Sequence, residues 1–269
     1  ANTKEVIENN IYQITEDIET IGFKKIDYIA LRQGLNPKDI LRVQAAILYV
    51  IRELCNIIGH SYLNENSIAT YLFKITGRIE KEAFLEALHH LVEEEKLVKE
   101  EERYYLKDMY DAEVNIAYRL TYLQKLPIKV DKKLDKAIKE IQELYQINYN
   151  MEQIEAIREA LMKNVLVITG GPGTGKTTII NAICDIYKLK NKISQDKFVE
   201  EVALLAPTGR AAKRMATSAK ASAYTIHRFL KWNKDLNKFQ INEHNKSKVK
   251  MVIIDEASMI DTYLFDNLL

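Results

Sequence analysis

A parallel α/β sheet behind a mainly α-helical region is the fold class that this sequence predicts, and three observations carry it. Three short apolar runs, Val165-Leu166-Val167-Ile168, Val202-Ala203-Leu204-Leu205-Ala206 and Met251-Val252-Ile253-Ile254, each feed directly into a polar turn. Runs apolar at every position, not at alternate ones, mark strands covered on both faces, the pattern of parallel sheets with helices on each side. The third observation is the rhythm of residues 1–150, where helix-like segments alternate with short Gly and Pro breaks.

The first apolar run leads into Thr169-Gly170-Gly171-Pro172-Gly173-Thr174-Gly175-Lys176-Thr177-Thr178 and then a helix-like segment. The spacing Gly170-x-x-x-x-Gly175-Lys176-Thr177 is that of a phosphate cradle set between strand and helix. Glycines permit positive φ and put no Cβ in the way, so backbone N–H groups can close round phosphate oxygens at a positive helix N-terminus. Lys176 is placed to reach the β- and γ-phosphates, and the Thr177 hydroxyl to complete a magnesium shell. Gly171, Pro172, Gly173, Thr174, Gly175, Lys176, Thr177 and Thr178 are therefore the expected ATP-binding residues, with Mg2+ as the metal. The fold class sharpens to an α/β P-loop NTPase preceded by helical domains.

At 269 residues the chain is long for one core and suggests two or three domains. No run approaches the roughly 18 apolar residues that span a bilayer, and Ala1-Asn2-Thr3-Lys4-Glu5 lacks a signal peptide's apolar stretch, so a cytoplasmic protein with no membrane partner is expected. Cys55 and Cys184 lack disulfide or zinc spacing and read as buried small hydrophobes. The net charge of +1 hides an asymmetry: residues 1–150 hold 21 Lys+Arg against 25 Asp+Glu, and residues 151–269 hold 18 against 13. Between 210 and 250 there are eleven basic residues and two acidic, either the footprint of a polyanion or a solvated lysine-rich face.

In chain order, residues 1–60 read as a helical domain: Glu5–Glu19, Lys25–Gln33 after Gly22, and Lys38–Ile58 after Asn36-Pro37. The segment from Ile18 to Ala30 looks like a helix-hairpin-helix in which Gly22 brings backbone N–H groups near a phosphate; Lys24 stands where a second glycine is usual, and a simple connector is the alternative. Residues 61–125 read as a winged-helix-like module and a following helix: helices Glu65–Ile75 and Glu80–Glu95, two strands around the charged turn of Leu97–Leu106, then Lys107–Lys125. Glu82, Glu86, Glu93, Glu94 and Glu95 argue against DNA binding by the second helix. Adjacent His89 and His90 cannot share a helix face as metal ligands and are read as structural. Residues 126–149 form a linker helix, Asp131–Ile147, after Leu126-Pro127-Ile128, and residues 150–269 the nucleotide domain.

In that domain Asn150 is an N-cap for the helix before the first strand, and Gln153 carries a donor and an acceptor suited to an adenine edge. Thr177–Lys188 and Ala211–Lys220 are helices, and the lysine-rich stretch from Trp232 to Lys250 a small hairpin in which Trp232 and Phe239 either pack or line a nucleic-acid track. Parallel sheets bind ligands beyond the carboxyl ends of their strands, so Gly170–Thr177, Pro207–Arg210 and Asp255–Ser258 are expected on one edge. There Asp255 would hold the metal shell and Glu256 deprotonate the attacking water; with Lys176 these are the candidate catalytic residues, and Thr177 and Asp255 the metal residues. An acidic pair ending a strand is otherwise a surface feature.

Taken together, Asn150-x-x-Gln153, Thr169–Thr178, Ala206-Pro207-Thr208-Gly209-Arg210-Ala211-Ala212, Thr225-Ile226-His227-Arg228 and Ile254-Asp255-Glu256-Ala257-Ser258-Met259 resemble the ordered motifs of RecD-like superfamily 1 DNA helicases. Asn10-x-Tyr12, Gly22-Phe23-x-x-x-Asp27-x-Ile29-Ala30 and Gly59-His60-x-Tyr62-Leu63 are similar to the N-terminal region of its stand-alone members, which are related to the alpha subunit of exodeoxyribonuclease V. The resemblance implies a RecA-like motor domain, ATP and Mg2+ as cofactors, Gln153 on adenine, and Pro207, Thr208, Arg210, Thr225 and His227 along single-stranded DNA. It implies a cytoplasmic, monomeric 5′ to 3′ helicase of repair or recombination, working at duplex junctions, with nuclease or repair proteins as possible partners. Leu269 follows Glu256 by thirteen positions, so the second motor domain and its transition-state arginines are expected to be missing, and this piece alone to bind and hydrolyse ATP weakly. Two rival readings stand beside this one: another P-loop ATPase of the clamp-loader type, and a non-catalytic scaffold for DNA or a protein partner. For His227-Arg228, a helix N-terminal turn is the alternative to a ligand contact.

Overall fold

A computed structural model of the chain describes residues 10–17, 21–128, 131–234 and 236–269. They fall into two compact units, 1–113 and 114–269. In the first, helices α1 (Gln13–Asp17) and α2 (Phe23–Arg32) precede α3 (Ile40–Ile58). Asp39 caps α3 by accepting from the Leu41 N–H, and Gly59 ends it at φ +76°, a left-handed conformation that glycine adopts without penalty. Val43, Ala46, Ile47, Val50, Ile51 and Leu54, spaced by threes and fours, are buried along one face of α3. One charged cluster is buried with them: Arg42 donates to Asp27 through Nε at 2.7 Å and Nη2 at 2.9 Å, Tyr12 Oη donates to Asp27 at 2.8 Å, and Arg42 Nη1 donates to the Pro37 carbonyl. Burial, then the Asp27 hydrogen bond, pushes the Tyr12 phenol well above its usual range. Residues 1–9 and Ile18–Thr20 lie outside the described residues, and with them both ends of the expected first helix, Glu5–Glu19, and the start of the expected hairpin.

The winged-helix-like module is present. β1 (Leu63–Asn64), α4 (Glu65–Thr76), α5 (Lys81–Glu93), β2 (Leu97–Glu100) and β3 (Arg103–Leu106) follow in that order, and the antiparallel sheet runs β1-β3-β2. The wing pairs Leu97 with Leu106 through Glu100 with Arg103, turning on Glu101 at φ +53°. On α5 the acidic residues face solvent, and His89 and His90 lie beside Glu93 and Glu86 on that exposed side. Cys55 and Cys184 are both buried and unbridged, and burial raises their thiols to about 11 and about 12.

Helix α6 (Lys107–Lys125) begins in the first unit and ends in the second. There α7 (Leu134–Tyr145) and α8 (Met151–Met162) pack on α9 (Lys176–Asn191) through Leu134, Ile138, Ile141, Ile157, Ile179, Ile183 and Ile186. After α10 (Gln195–Glu201) come β4 (Val202–Ala206), α11 (Gly209–Ala219), β5 (Ala223–Thr225), α12 (Ile226–Phe229), the hairpin β6–β7 (Trp232–Asn233 and Lys238–Phe239), β8 (Met251–Ile254) and α13 (Thr262–Leu268). The sheet is parallel in the order β5-β4-β8. Every residue of β4 is buried, as its unbroken apolar run requires.

One expected strand is absent among the described residues. Val165–Ile168 joins no ladder, and the third strand of the sheet is β5 instead. Ile168 packs against the α7–α8–α9 core with Met251 and Ile253, whereas Val167 is 84% exposed. An apolar run records how a segment's side chains are to be covered; a ladder also needs a neighbour with free N–H and C=O groups. None pairs with this segment, while Val252 on the neighbouring edge strand β8 is also exposed.

Candidate active site and polyanion track

The parallel register brings the acidic pair and the residues assigned to a polyanion to one edge, whereas no ladder among the described residues joins the glycine-rich loop or Gln153 to it. Leu205 is opposite Ile254 and Ala206 opposite Thr225, so β4, β5 and β8 finish together. Pro207 and Thr208, Thr225 and His227, and Asp255 and Glu256 all leave the sheet at that shared carboxyl edge. The opposite edge is tied by Glu201, which accepts from Lys250 Nζ at 2.7 Å and Tyr187 Oη at 3.0 Å. The Lys250 hydrogen bond holds the Glu201 carboxyl below the usual range, and burial raises Tyr187 to about 12.

The glycine-rich loop is built as its composition requires. Gly173 and Gly175 stand at φ +75° and +88°, in the left-handed region. A Cβ at Gly170 would come within 2.7 Å of Thr174 Oγ1, and one at Gly175 would run into Gln153 Nε2. Thr174 Oγ1 donates to the Gly171 carbonyl at 2.9 Å, closing the loop on itself. Lys176, the first residue of α9, donates from Nζ to the carbonyls of Gly170 at 2.6 Å and Gly171 at 2.8 Å. Its ammonium therefore lies over the loop, with Thr177 and Thr178 following in the first helical turn.

Asn150 and Gln153 form a reciprocal capping box at the start of α8: Asn150 Oδ1 accepts from Gln153 N at 2.8 Å, and Gln153 Oε1 accepts from Asn150 N at 3.1 Å. The second half of the Gln153 amide reaches the loop, with Nε2 donating to the Thr174 carbonyl at 3.3 Å. One side chain thus joins the helix N-terminus to the glycine-rich turn. Sequence reasoning had found Asn150 as the cap and Gln153 as a recognition group, but not this bridge.

Asp255 continues the ladder by donating its N–H to the Leu205 carbonyl, and its Oδ1 accepts from Glu256 N at 2.9 Å. Glu256 stands at φ +56° and ψ +40°, then a 3-10 turn, Ala257–Met259, begins. Its Oε1 accepts from Arg214 Nη2 at 2.9 Å. Arg214 had no assigned role in the sequence; its only signal was membership of the basic 210–250 stretch. The donor set offered by Thr177 and Asp255, a hydroxyl and a carboxylate, is of the hard-oxygen kind that suits magnesium, an ion that keeps several waters.

Of the residues assigned to a polyanion, Thr208 and Thr225 are helix N-caps: Thr208 Oγ1 accepts from Ala211 N at 3.3 Å and Thr225 Oγ1 from Arg228 N at 3.2 Å. Each hydroxyl still has a proton to donate. Arg210 is exposed on the first turn of α11. His227 is exposed, with its ring centroid 5.9 Å from that of Phe239. The expected hairpin is present, with Trp232 opposite Phe239 and the rings edge-on at 4.7 Å. Phe239 packs on the cluster around Leu205 and Ile226, and Trp232, packed against it, is 41% exposed.

Two family models match the chain: the AAA domain over residues 153–269, and the ATP-dependent RecD2 DNA helicase HHH domain over residues 1–62. The ATP-dependent RecD2 DNA helicase of Deinococcus radiodurans is 28% identical over an alignment covering 100% of this chain and 38% of that protein. The RecBCD enzyme subunit RecD of Buchnera aphidicola subsp. Schizaphis graminum is 34% identical over 45% of this chain and 22% of the subunit. The corresponding subunit of Mycobacterium tuberculosis is 31% identical over 44% of this chain and 23% of the subunit. The chain thus spans well under half the length of each of these relatives. Among the described residues no helix is long and apolar enough to cross a membrane.

Proposed function

From the premise that the chain is RecD-like, we propose that the protein it belongs to is an ATP-dependent helicase that moves along single-stranded DNA in repair or recombination. The observation that carries the reading is the shared carboxyl edge of β4, β5 and β8, from which a motor's nucleotide-sensing acids and its polymer-gripping residues both emerge. In this reading Gln153 meets the adenine edge while bracing the loop through Thr174, and the N–H groups of Gly171 and of residues 173–176 cradle the triphosphate. Lys176 swings from the Gly170 and Gly171 carbonyls to the β- and γ-phosphates. Glu256 accepts the proton of the water whose oxygen attacks the γ-phosphorus; the bond to the β-phosphate oxygen breaks, and its electron pair leaves with ADP. Magnesium, held by Thr177 and Asp255, would neutralise charge on the phosphate oxygens.

Pro207, Thr208, Arg210, Thr225 and His227 then lie along a single strand, whose phosphates the Thr208 and Thr225 hydroxyls and the Arg210 and His227 side chains hold. Hydroxyls, backbone N–H groups and cations grip a backbone without reading bases, which suits a translocating enzyme. The 5′ to 3′ direction, the preference for duplex junctions, the monomeric state, the cytoplasmic setting and the nuclease or repair partners rest on the resemblance.

The test is Lys176→Ala in the full-length protein. DNA-stimulated ATP hydrolysis is expected to fall by about 100-fold or more, the scale on which one positioned electrostatic group acts. Retained hydrolysis would remove the loop from the mechanism.

A further inference from the structure

We propose that Arg214 is a positioning residue that couples the polyanion track to hydrolysis: it holds the Glu256 carboxylate until a nucleic-acid phosphate draws its guanidinium away. The inference rests on the reading of Glu256 as the proton acceptor. The pair itself is plain, Nη2 to Oε1 at 2.9 Å, with 64% and 42% of the two side chains exposed. An arginine on the helix that follows the Pro207-Thr208 turn therefore holds the acid assigned to the hydrolytic water.

The face of α11 that carries Arg214 is arranged for an anion. Arg210, Lys213 and Arg214 line one open concavity with Thr217 and Ser218, whose hydroxyls are bonded to the Lys213 carbonyl and Asn181, so the three cations are what the helix offers an anion, and it holds no acidic residue. Among the described residues Arg210 and Lys213 have no carboxylate partner, so Glu256 is the one anion set against this face. A phosphate offers the guanidinium a bidentate partner in place of a single contact, and an exposed ion pair is weak enough to be outcompeted. Glu256 stands in the left-handed region between β8 and the 3-10 turn, a conformation rare for a residue with a Cβ, at the point where the chain leaves the sheet. A ligand shifts such an equilibrium only by its preference for one state, and here the preference is contact with the arginine itself.

The test compares ATP hydrolysis by the full-length protein with and without single-stranded oligothymidylate. Arg214→Gln is expected to raise kcat without DNA by about two- to fivefold, the rate equivalent of a typical exposed pair, and to lower the DNA stimulation by the same factor. KM for ATP should not change, and Arg214→Lys should fall between variant and wild type. A Gln variant with unchanged basal kcat and full stimulation, or one in which both rates fall together, overturns the coupling. Titration with a fluorescent ATP analogue reports whether the Gln variant keeps its nucleotide site; if it does not, the Lys variant decides on the same ratio. Glu256→Gln separates the two readings. If that variant still hydrolyses ATP, the assignment of the base fails; if it is inactive while Arg214→Gln behaves as wild type, only the coupling fails.

Discussion

Arg42 with Asp27 and Arg214 with Glu256 are both arginine–carboxylate pairs with contacts of 2.7 Å to 2.9 Å, but they differ in what surrounds them. Arg42 is 6% and Asp27 12% exposed by side chain, the contact is two-pronged, and Tyr12 and the Pro37 carbonyl take up further valences. Arg214 and Glu256 meet through one nitrogen and one oxygen in solvent. Bond length alone does not separate a structural pair from a switchable one; burial and the number of satisfied partners do. Where both charges are out of water and fully bonded, separation exposes an uncompensated charge. Where both remain hydrated, separation costs little and another anion can substitute.

Removing the arginine from the buried pair is the strongest way to test that distinction. Arg42→Ala leaves the Asp27 carboxylate beside Tyr12 with no cation, and is expected to destabilise the N-terminal unit by about 3–5 kcal/mol. Chemical denaturation followed by circular dichroism would measure it. A loss near 1 kcal/mol would mean that the cluster behaves as a surface pair despite its burial.

Asn150→Ala gives an intermediate effect. The variant removes the side-chain half of the capping box and should cost about 1 kcal/mol in the thermal unfolding of the C-terminal unit. It takes the Oδ1 acceptor from the Gln153 N–H but leaves both Gln153 side-chain contacts, with the N–H of residue 150 and with the Thr174 carbonyl, in place. Because the Gln153 bridge to Thr174 survives, ATP affinity in the full-length protein should stay near that of the wild type while stability falls; a loss of affinity as large as the loss of stability would mean that the cap, not the bridge, braces the loop.

The same contrast explains what could be read from the sequence. Local rules were enough for elements that satisfy themselves: the Asn150 cap, the Lys107–Lys125 helix, the wing of Leu97–Leu106 and the buried run of β4 all stand where residue type and spacing put them. The glycine-rich loop was legible for the same reason, since left-handed backbone at Gly173 and Gly175 and a close approach at Gly170 leave few other residue types. What failed depends on a second segment. Val165–Ile168 has the composition of a strand but no ladder neighbour, while Ala223–Thr225, short and polar, is a strand because Leu204, Leu205 and Ala206 lie beside it. Arg214 and Glu256 are 42 positions apart, and no periodicity connects them.

The smallest expected effect is the one that completes the comparison. Arg214→Ala removes a guanidinium that is mostly in water and leaves a carboxylate that water can solvate, so unfolding free energy should change by about 0.5 kcal/mol or less. Measured beside Arg42→Ala by the same denaturant titration, it asks whether two contacts of similar length differ several-fold in energy because of their surroundings. A large loss from Arg214→Ala would mean that the pair anchors the turn after β8, a role that would hold Glu256 in place permanently and leave it nothing to release.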